Sequence, residues 1–263
     1  MRIATWNVNS VTARLPRLVD WLGTVEPDVL CLQEIKTSDA TFPSDAVGAL
    51  GYEVATHGTG RWNGVAILSR VGIADERRGL VDEPGYQPED AMFASTEPRA
   101  MGATCGGVRV WTVYVPNGRE VGHPHYEYKL AWLAALRATV RTELAERFVV
   151  MGDFNIAPTD DDVWDPSAVH GATHISEPER AALASLRSLG LTDVVPRALK
   201  YDTPYTYWDY RAGMFHKNMG MRIDLVYASQ ALAAAVTDAY VDREARKGTG
   251  PSDHAPVVVD LSP

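Results

Sequence analysis

The sequence predicts one α/β domain with many strands, and three observations carry that reading. Short β-branched apolar runs recur along the chain, amphipathic helical patterns fall between them, and no repeat, low-complexity tract or linker divides the 263 residues. A chain of this length buries one substantial core or two modest ones.

The elements follow in order. Residues 2–8 read as a strand, and residues 11–22 as an amphipathic helix with Leu15, Leu18, Val19 and Leu22 on one face. Pro27 opens a second strand over 28–33, which ends at Glu34. Residues 52–56 and 65–69 are further strands, joined by a glycine-rich turn around Gly58, Gly60 and Gly64. The strand at 108–115 is stopped by Pro116-Asn117-Gly118, and a helix runs from His125 to about Glu146 with Leu130, Leu133 and Leu136 in periodic positions. Residues 148–152 return as a strand, 160–171 form an acidic loop, and 179–189 form a helix ended by Gly190. The stretch 201–221 is aromatic and irregular; strands at 223–227, 236–241 and 255–261 complete the chain.

Composition narrows the class. Hydrophobic residues make up 46% and charged residues 22%, the balance of a soluble globular protein. No apolar stretch approaches the roughly 20 residues that span a bilayer, and the N-terminus enters a strand pattern without a signal-peptide core. Cys31 and Cys105 make no disulfide framework, which fits a reducing cytoplasm. A formal charge of −9 argues against coating nucleic acid by bulk electrostatics. It leaves room for an enzyme whose acids surround a cation and whose local basic rim meets phosphate.

The chemistry collects at strand ends. In Phe148-Val149-Val150-Met151-Gly152-Asp153-Phe154-Asn155, an apolar run delivers an aspartate and an asparagine two positions apart, on one face of a strand. Such a pair can hold a water or a metal-bound phosphate; it can equally open an Asx turn. Asn7, Glu34, Tyr114, Asp224, Asp253 and His254 likewise sit at or near strand termini. A packed core excludes such groups unless they are paired or hold a metal. Singly, Asn7 and Asp253 also read as turn or cap residues, Glu34 as a loop start, and His254 as an ordinary histidine. Asp224 is the hardest to set aside, because an acid between Ile223 and Leu225 needs a partner.

Six blocks then resemble a known family: Trp6-Asn7-Val8-Asn9, Leu32-Gln33-Glu34-Ile35-Lys36, Tyr114-Val115-Pro116-Asn117-Gly118, Gly152-Asp153-Phe154-Asn155, Arg222-Ile223-Asp224 and Ser252-Asp253-His254. In this order they look like the exonuclease III class of abasic-site (AP) endonucleases, within the endonuclease/exonuclease/phosphatase superfamily. The resemblance implies a four-layered sandwich, two packed β-sheets flanked by helices. It implies Mg²⁺-dependent (or Mn²⁺-dependent) hydrolysis of duplex DNA 5′ to an abasic site, with accompanying 3′–5′ exonuclease and 3′-phosphatase or phosphodiesterase action on blocked 3′ ends.

Residue roles follow from the same resemblance. Glu34 and Asp253 would hold the metal, with Asn7, Asp153, Asn155 and His254 around it. Asp153 would position or activate the water, Asn155 would hold phosphate or water, and His254, supported by Asp224, would face the phosphoryl oxygen. Tyr114 would donate to the phosphate or the leaving oxygen. Tyr207, Met221 and Ile223 would form an apolar pocket for the flipped abasic sugar, with Trp208 either beside them or in the core. Met221 replaces the tryptophan of some relatives. Asn117, Lys36, Arg61 and Lys129, with Arg119, Arg211 and Lys217, are candidate DNA contacts. The implied partner is DNA, with no membrane, and the protein is expected to be monomeric.

Two other readings share these residues. A phosphatase or phospholipase of the superfamily would use Asp153, Asn155, Asp253 and His254, but such enzymes carry another histidine near Tyr114, where this chain has Tyr-Val-Pro-Asn-Gly. A catalytically silent DNA-binding relative would have no need of a complete catalytic set.

Overall fold

Strand alternation sorts the side chains of this protein between an inner apolar core and two outer ones, and that sorting builds its layers. The computed structural model describes residues 1–88 and 92–262. In chain order the elements begin with β1 (Arg2–Asn7), α1 (Val11–Val25), β2 (Val29–Gln33), α2 (Ser44–Gly48), β3 (Glu53–His57) and β4 (Val65–Ser69). Then come β5 (Ala74–Arg78), β6 (Ala100–Cys105), β7 (Val108–Tyr114), α3 (Pro124–Glu143), β8 (Phe148–Asp153) and α4 (Glu177–Arg187). The chain closes with β9 (Leu191–Asp193), β10 (Arg197–Ala198), β11 (Asp224–Ser229), α5 (Gln230–Ala234), β12 (Val236–Val241) and β13 (Val257–Leu261).

One sheet has seven strands in the order β10-β12-β13-β1-β2-β4-β3, the other six in the order β5-β6-β7-β8-β11-β9. Ile3, Val29, Ile67 and Val257 of the first meet Met101, Val110, Met151 and Val226 of the second in the inner core. On the outer face of the six-stranded sheet, Val113, Val150 and Leu225 pack under Trp132 and Leu136 of α3 and Leu183 of α4. On the outer face of the other sheet, Ala4, Trp6 and Leu30 pack under Leu18, Trp21 and Leu22 of α1. The result is the four-layered α/β sandwich, helices outside two facing sheets.

Periodicity places most elements within a few residues. Four strands escape it for physical reasons, as do the five-residue helices α2 and α5. β9 and β10 are only three and two residues long, too short to show a period. β5 is charged and exposed throughout its Asp75-Glu76-Arg77-Arg78 run, an edge strand with no apolar face to read. β6 is built largely of small residues, Ala100, Gly102 and Ala103. The helix expected over 125–146 starts one residue earlier, with Pro124 in its first turn and His123 as its cap.

Topology brings the chemistry to one end. β1 runs parallel to β2, and β7 parallel to β8, so all four deliver their C-termini together. β11 and β13 run antiparallel to β8 and β1 and bring their N-termini to the same edge. In the register of the second sheet, Tyr114 and Asp224 flank Asp153 directly. Gly152 makes this approach possible. Its φ is +148°, and a Cβ there would lie 2.0 Å from the carbonyl oxygen of Val113.

Candidate active site

Four buried polar groups meet where the sheets end: Asn7, Asp153, Asp224 and His254 are each 4% exposed or less. Their hydrogen bonds account for that burial. The Asn7 side-chain amide donates to Glu34 Oε1 and to Asp153 Oδ2, both at 2.9 Å. Its oxygen accepts the backbone N–H of Asn9 at 3.0 Å, which fixes which way the carboxamide faces. Asn7 thus aligns two carboxylates with its nitrogen. The Asn155 backbone N–H donates to Asp153 Oδ1 at 2.9 Å.

His254 sits on Asp224, Nδ1 to Oδ2 at 2.8 Å, and its Nε2 lies 3.8 Å from Asp153 Oδ2. The second oxygen of Asp224 is buried without a partner. Burial opposes charge on the imidazole, but Asp224 and Asp153 outweigh it and push His254 up to about 10. Burial pushes Asp153 up to about 7, helped by Asp224 and Glu34 and resisted by His254. Burial also drives the Tyr114 phenol well above its ordinary value, with the Glu34 carboxylate next, so it stays an O–H donor. Arg99 holds this tyrosine from behind: its guanidinium lies 4.6 Å from the ring centroid and donates to Tyr114 O at 3.3 Å.

Several of these residues hold left-handed backbones: Asn9 (φ 45°), Glu34 (φ 50°), Lys36 (φ 50°), Asn155 (φ 51°) and His174 (φ 84°). Such conformations persist where the surroundings over-determine them, and they gather at functional sites. At Glu34 the determinants are visible: its carbonyl accepts Ser10 N–H at 2.7 Å, and Lys36 N–H donates to Asn63 O at 3.0 Å.

Ligand atoms of Glu34, Asp153 and His254 lie within 4.8 Å of one another. Asp253, the residue just before His254, joins them, accepting the Asn9 amide at 3.0 Å and lining the same cavity. The oxygen donors suit a hard divalent cation, and the unpartnered Asp224 oxygen marks a surplus of negative charge at the site. The residues present fit a metal of that kind.

The cavity above the acids has a volume of about 470 Å³. Its polar wall carries Tyr114, Asn117, Asn155 and His174. Asn155 Oδ1 accepts the Asn117 amide at 3.2 Å and lies 3.1 Å from His174 Nε2. Its apolar wall carries Tyr207, Met221 and Ile223, joined by Trp164 and Val169. The Tyr207 ring stands 5.0 Å from that of His254, centroid to centroid, and its backbone pairs with Met221.

The structure therefore brings Asn7, Glu34, Tyr114, Asn117, Asp153, Asn155, Tyr207, Met221, Ile223, Asp224, Asp253 and His254 to one end of the sandwich. Three expected contacts change. Lys129 is no surface cation: its ammonium is fully buried and bonded to Glu179, Asn155, Thr173 and Asn117. Trp208 is 1% exposed, packs edge-on against Phe215 and lies outside the cavity. Lys36 is tied to Glu34 at 2.7 Å and to Asn9 at 2.6 Å rather than free for phosphate. Arg61 remains exposed, its guanidinium 5.1 Å from the centroid of exposed Trp62.

Residue patterns missed four contributors, Asn9, Arg99, Trp164 and His174. Asn9 carried a signal, an asparagine in a turn two residues beyond Asn7. His174 carried none, lying in a loop without periodicity.

Known proteins are similar to this chain over nearly its whole length. The model of the Endonuclease/Exonuclease/phosphatase family matches residues 4–254. Exodeoxyribonuclease III of Haemophilus influenzae is 30% identical over 270 residues, covering 98% of this chain and 98% of that protein. Among solved structures, a 3′-5′ exonuclease (NExo) from Neisseria meningitidis is 40% identical with a TM-score of 0.91, covering 100% of both chains. A structure of NExo described as a 3′ phosphatase bound to product DNA hairpin has the same identity, 40%, and the same TM-score, 0.91, covering 100% of this chain and 99% of that one. An AP endonuclease from Archaeoglobus fulgidus is 34% identical with a TM-score of 0.90, covering 99% of each chain. With the family model spanning nearly its full length and the acids and histidine set at one end of the sandwich, this chain belongs to the Endonuclease/Exonuclease/phosphatase family.

Proposed function

We propose that this DNA-repair nuclease hydrolyses phosphate esters of duplex DNA at abasic sites and blocked 3′ ends, with Mg²⁺ (or Mn²⁺) as its cation. One observation carries the reading: Glu34, Asp153 and His254 converge on one point, with His254 locked to a fully buried Asp224. Positioning and charge neutralisation are what hydrolysis of a phosphodiester chiefly demands.

The residues divide that work. Glu34 and Asp253 would hold the cation, which neutralises phosphate charge and polarises the reacting bond. Asp153, its two oxygens set by Asn7 and the Asn155 backbone, takes the proton of the attacking water. We assign His254 to the phosphate rather than the cation, since an imidazolium has no lone pair to give a metal. Its Nε2 side donates to a non-bridging oxygen where charge grows, and Asp224 fixes the ring. Tyr114 donates its phenol proton toward the phosphate or the leaving oxygen. Asn155 and Asn117 offer amide contacts to the phosphate flank. Tyr207, Met221, Ile223 and Trp164 supply an apolar wall suited to a deoxyribose without a base.

A second emphasis, on the removal of 3′-terminal groups, is favoured by His174. This imidazole lines the cavity beside Asn155 and Asn117 and adds a further polar group to the wall suited to a terminal phosphate. The NExo structure described as a 3′ phosphatase supports the same emphasis.

The test is direct. Purified protein with Mg²⁺ is expected to act on a duplex carrying a tetrahydrofuran abasic mimic or a 3′-phosphate, and EDTA to abolish both activities. The ratio of the two rates decides the emphasis. No action on either DNA at moderate salt, with brisk phosphate release from inositol phosphates, would refute the nuclease reading.

A further inference from the structure

We infer that the buried Lys129–Glu179 ion pair is a positioning device that sets the phosphate-facing wall of the site, an inference that rests on the nuclease reading above. Both side chains are 0% exposed, and Lys129 Nζ lies 2.5 Å from Glu179 Oε1. Burying two ions is costly, and a well-packed apolar pair would serve stability equally well. What an apolar pair could not do is make directed hydrogen bonds.

Most of those bonds lead to the site. The ammonium donates to Asn155 O at 2.7 Å and to Asn117 O at 3.2 Å. These are the backbones of the two residues whose amides meet at the cavity wall. Glu179 Oε1 accepts the His174 backbone N–H at 2.9 Å and the Thr173 hydroxyl at 2.7 Å. Thr173 is also within reach of Asn117 O, at 2.9 Å. The other carboxylate oxygen accepts the backbone N–H and the hydroxyl of Ser176, at 3.0 and 2.6 Å, at the start of α4. One ion pair, donated by α3 and α4, therefore ties down three separate loops at Asn117, Asn155 and His174.

The side chains of those three residues form a closed set. Asn155 Oδ1 is 3.2 Å from Asn117 Nδ2 and 3.1 Å from His174 Nε2, and the last two atoms are 3.2 Å apart. Asn155 and His174 both have positive φ, an uncommon backbone for a residue with a side chain, and the ion pair bonds to the backbone of each. Lys129 and Glu179 touch no substrate-facing surface of the cavity. They act through the residues they hold.

The decisive experiment separates positioning from stability. Lys129→Met together with Glu179→Gln removes both charges, so no buried ion is left unpaired. Thr173→Val removes a single hydroxyl from the same cluster. Melting temperature, kcat, KM for a 3′-phosphate or abasic duplex, and the side-chain amide NMR signals of Asn117 and Asn155 are measured for both, beside wild type. For the double variant, kcat is expected to fall on the order of 100-fold, the scale of a roughly 1 Å misplacement. KM should change by less than about threefold, since the removed contact acts on the reaction rather than on binding. Thr173→Val should lose about tenfold in kcat, one hydrogen bond's worth, at near wild-type melting temperature. Both should shift or broaden the two amide signals. Wild-type kcat and unmoved amide signals in a folded variant would overturn the inference, and if the double variant does not fold, Thr173→Val decides alone. Inactivity of wild type itself would instead count against the nuclease reading, and the NMR readout would still judge the positioning role.

Discussion

Gly152→Ala isolates the joint on which the site depends. The added Cβ would meet Val113 O at 2.0 Å and Val113 N at 2.9 Å, both backbone atoms of the adjacent strand. Real Cβ contacts essentially never fall below 3.0 Å, so relief requires a movement of at least 3.0 − 2.0 = 1.0 Å. No side-chain rotation supplies it; β7 and β8 must part. At φ +148° an alanine is strained in addition. Overpacking of about 1–3 kcal/mol and backbone strain of roughly 1–3 kcal/mol together predict a loss of ~2–6 kcal/mol. The parting strands end in Tyr114 and Asp153, which face each other in register. A displacement near 1 Å there should lower kcat on the order of 100-fold. Urea unfolding gives the first number and single-turnover cleavage the second. Gly107→Ala is the control. Its φ is +77° and nothing lies within 4 Å of its would-be Cβ. It should cost only ~1 kcal/mol and leave turnover intact. Equal midpoints and turnover for Gly152→Ala and wild type would refute the argument that this close approach shapes the site.

Three further outcomes are expected. Asp153→Asn or His254→Ala should lower turnover by orders of magnitude while DNA binding, measured by fluorescence anisotropy, stays largely intact; near-normal turnover in both would refute their roles. Asp224→Asn should lower turnover on the order of 100-fold, because the buried ionic bond at 2.8 Å that orients His254 is lost, and rapid-quench assays would detect a smaller effect that rejects it. For pH, burial depresses His125 from 6.5 to about 4, and its Nδ1 accepts Gly118 N–H at 3.1 Å as a neutral ring. Its contribution to stability is whole above pH 6.5 and declines as pH falls through that value toward 4. Unfolding midpoints over this window should fall less steeply in His125→Phe; parallel slopes would show that His125 is not titrating there.

Much of the site was legible in the chain because strand ends announce themselves. A polar residue that closes a β-branched run has nowhere to go but the sheet's edge, and Asn7, Glu34, Tyr114 and Asp153 all read this way, while Asp224 stood out as an acid inside an apolar run. Lys129 did not. On a helix otherwise marked by leucines, a lysine reads as solvated, and its partner lies 50 residues away on α4. Glu179 read only as a helix residue, although it makes a capping box with Ser176. Trp208 and Tyr207 are neighbours of similar character, and only the irregular backbone around Met221 decides that Tyr207 faces the cavity and Trp208 the core.

The sequence by itself determined the periodic elements, the polar set at their ends, and, through six ordered blocks, the family. Alternation and helical period are local properties, and a short chemical motif needs no distant partner to be recognised. Tertiary structure alone decided the register in which those termini meet, that His174 enters the cavity, that Trp208 turns away from it, and that Lys129 turns inward. Each of those depends on strand order, register and the burial of charge against a distant partner. Such pairings are set when the two sheets close on each other, and no local pattern encodes them.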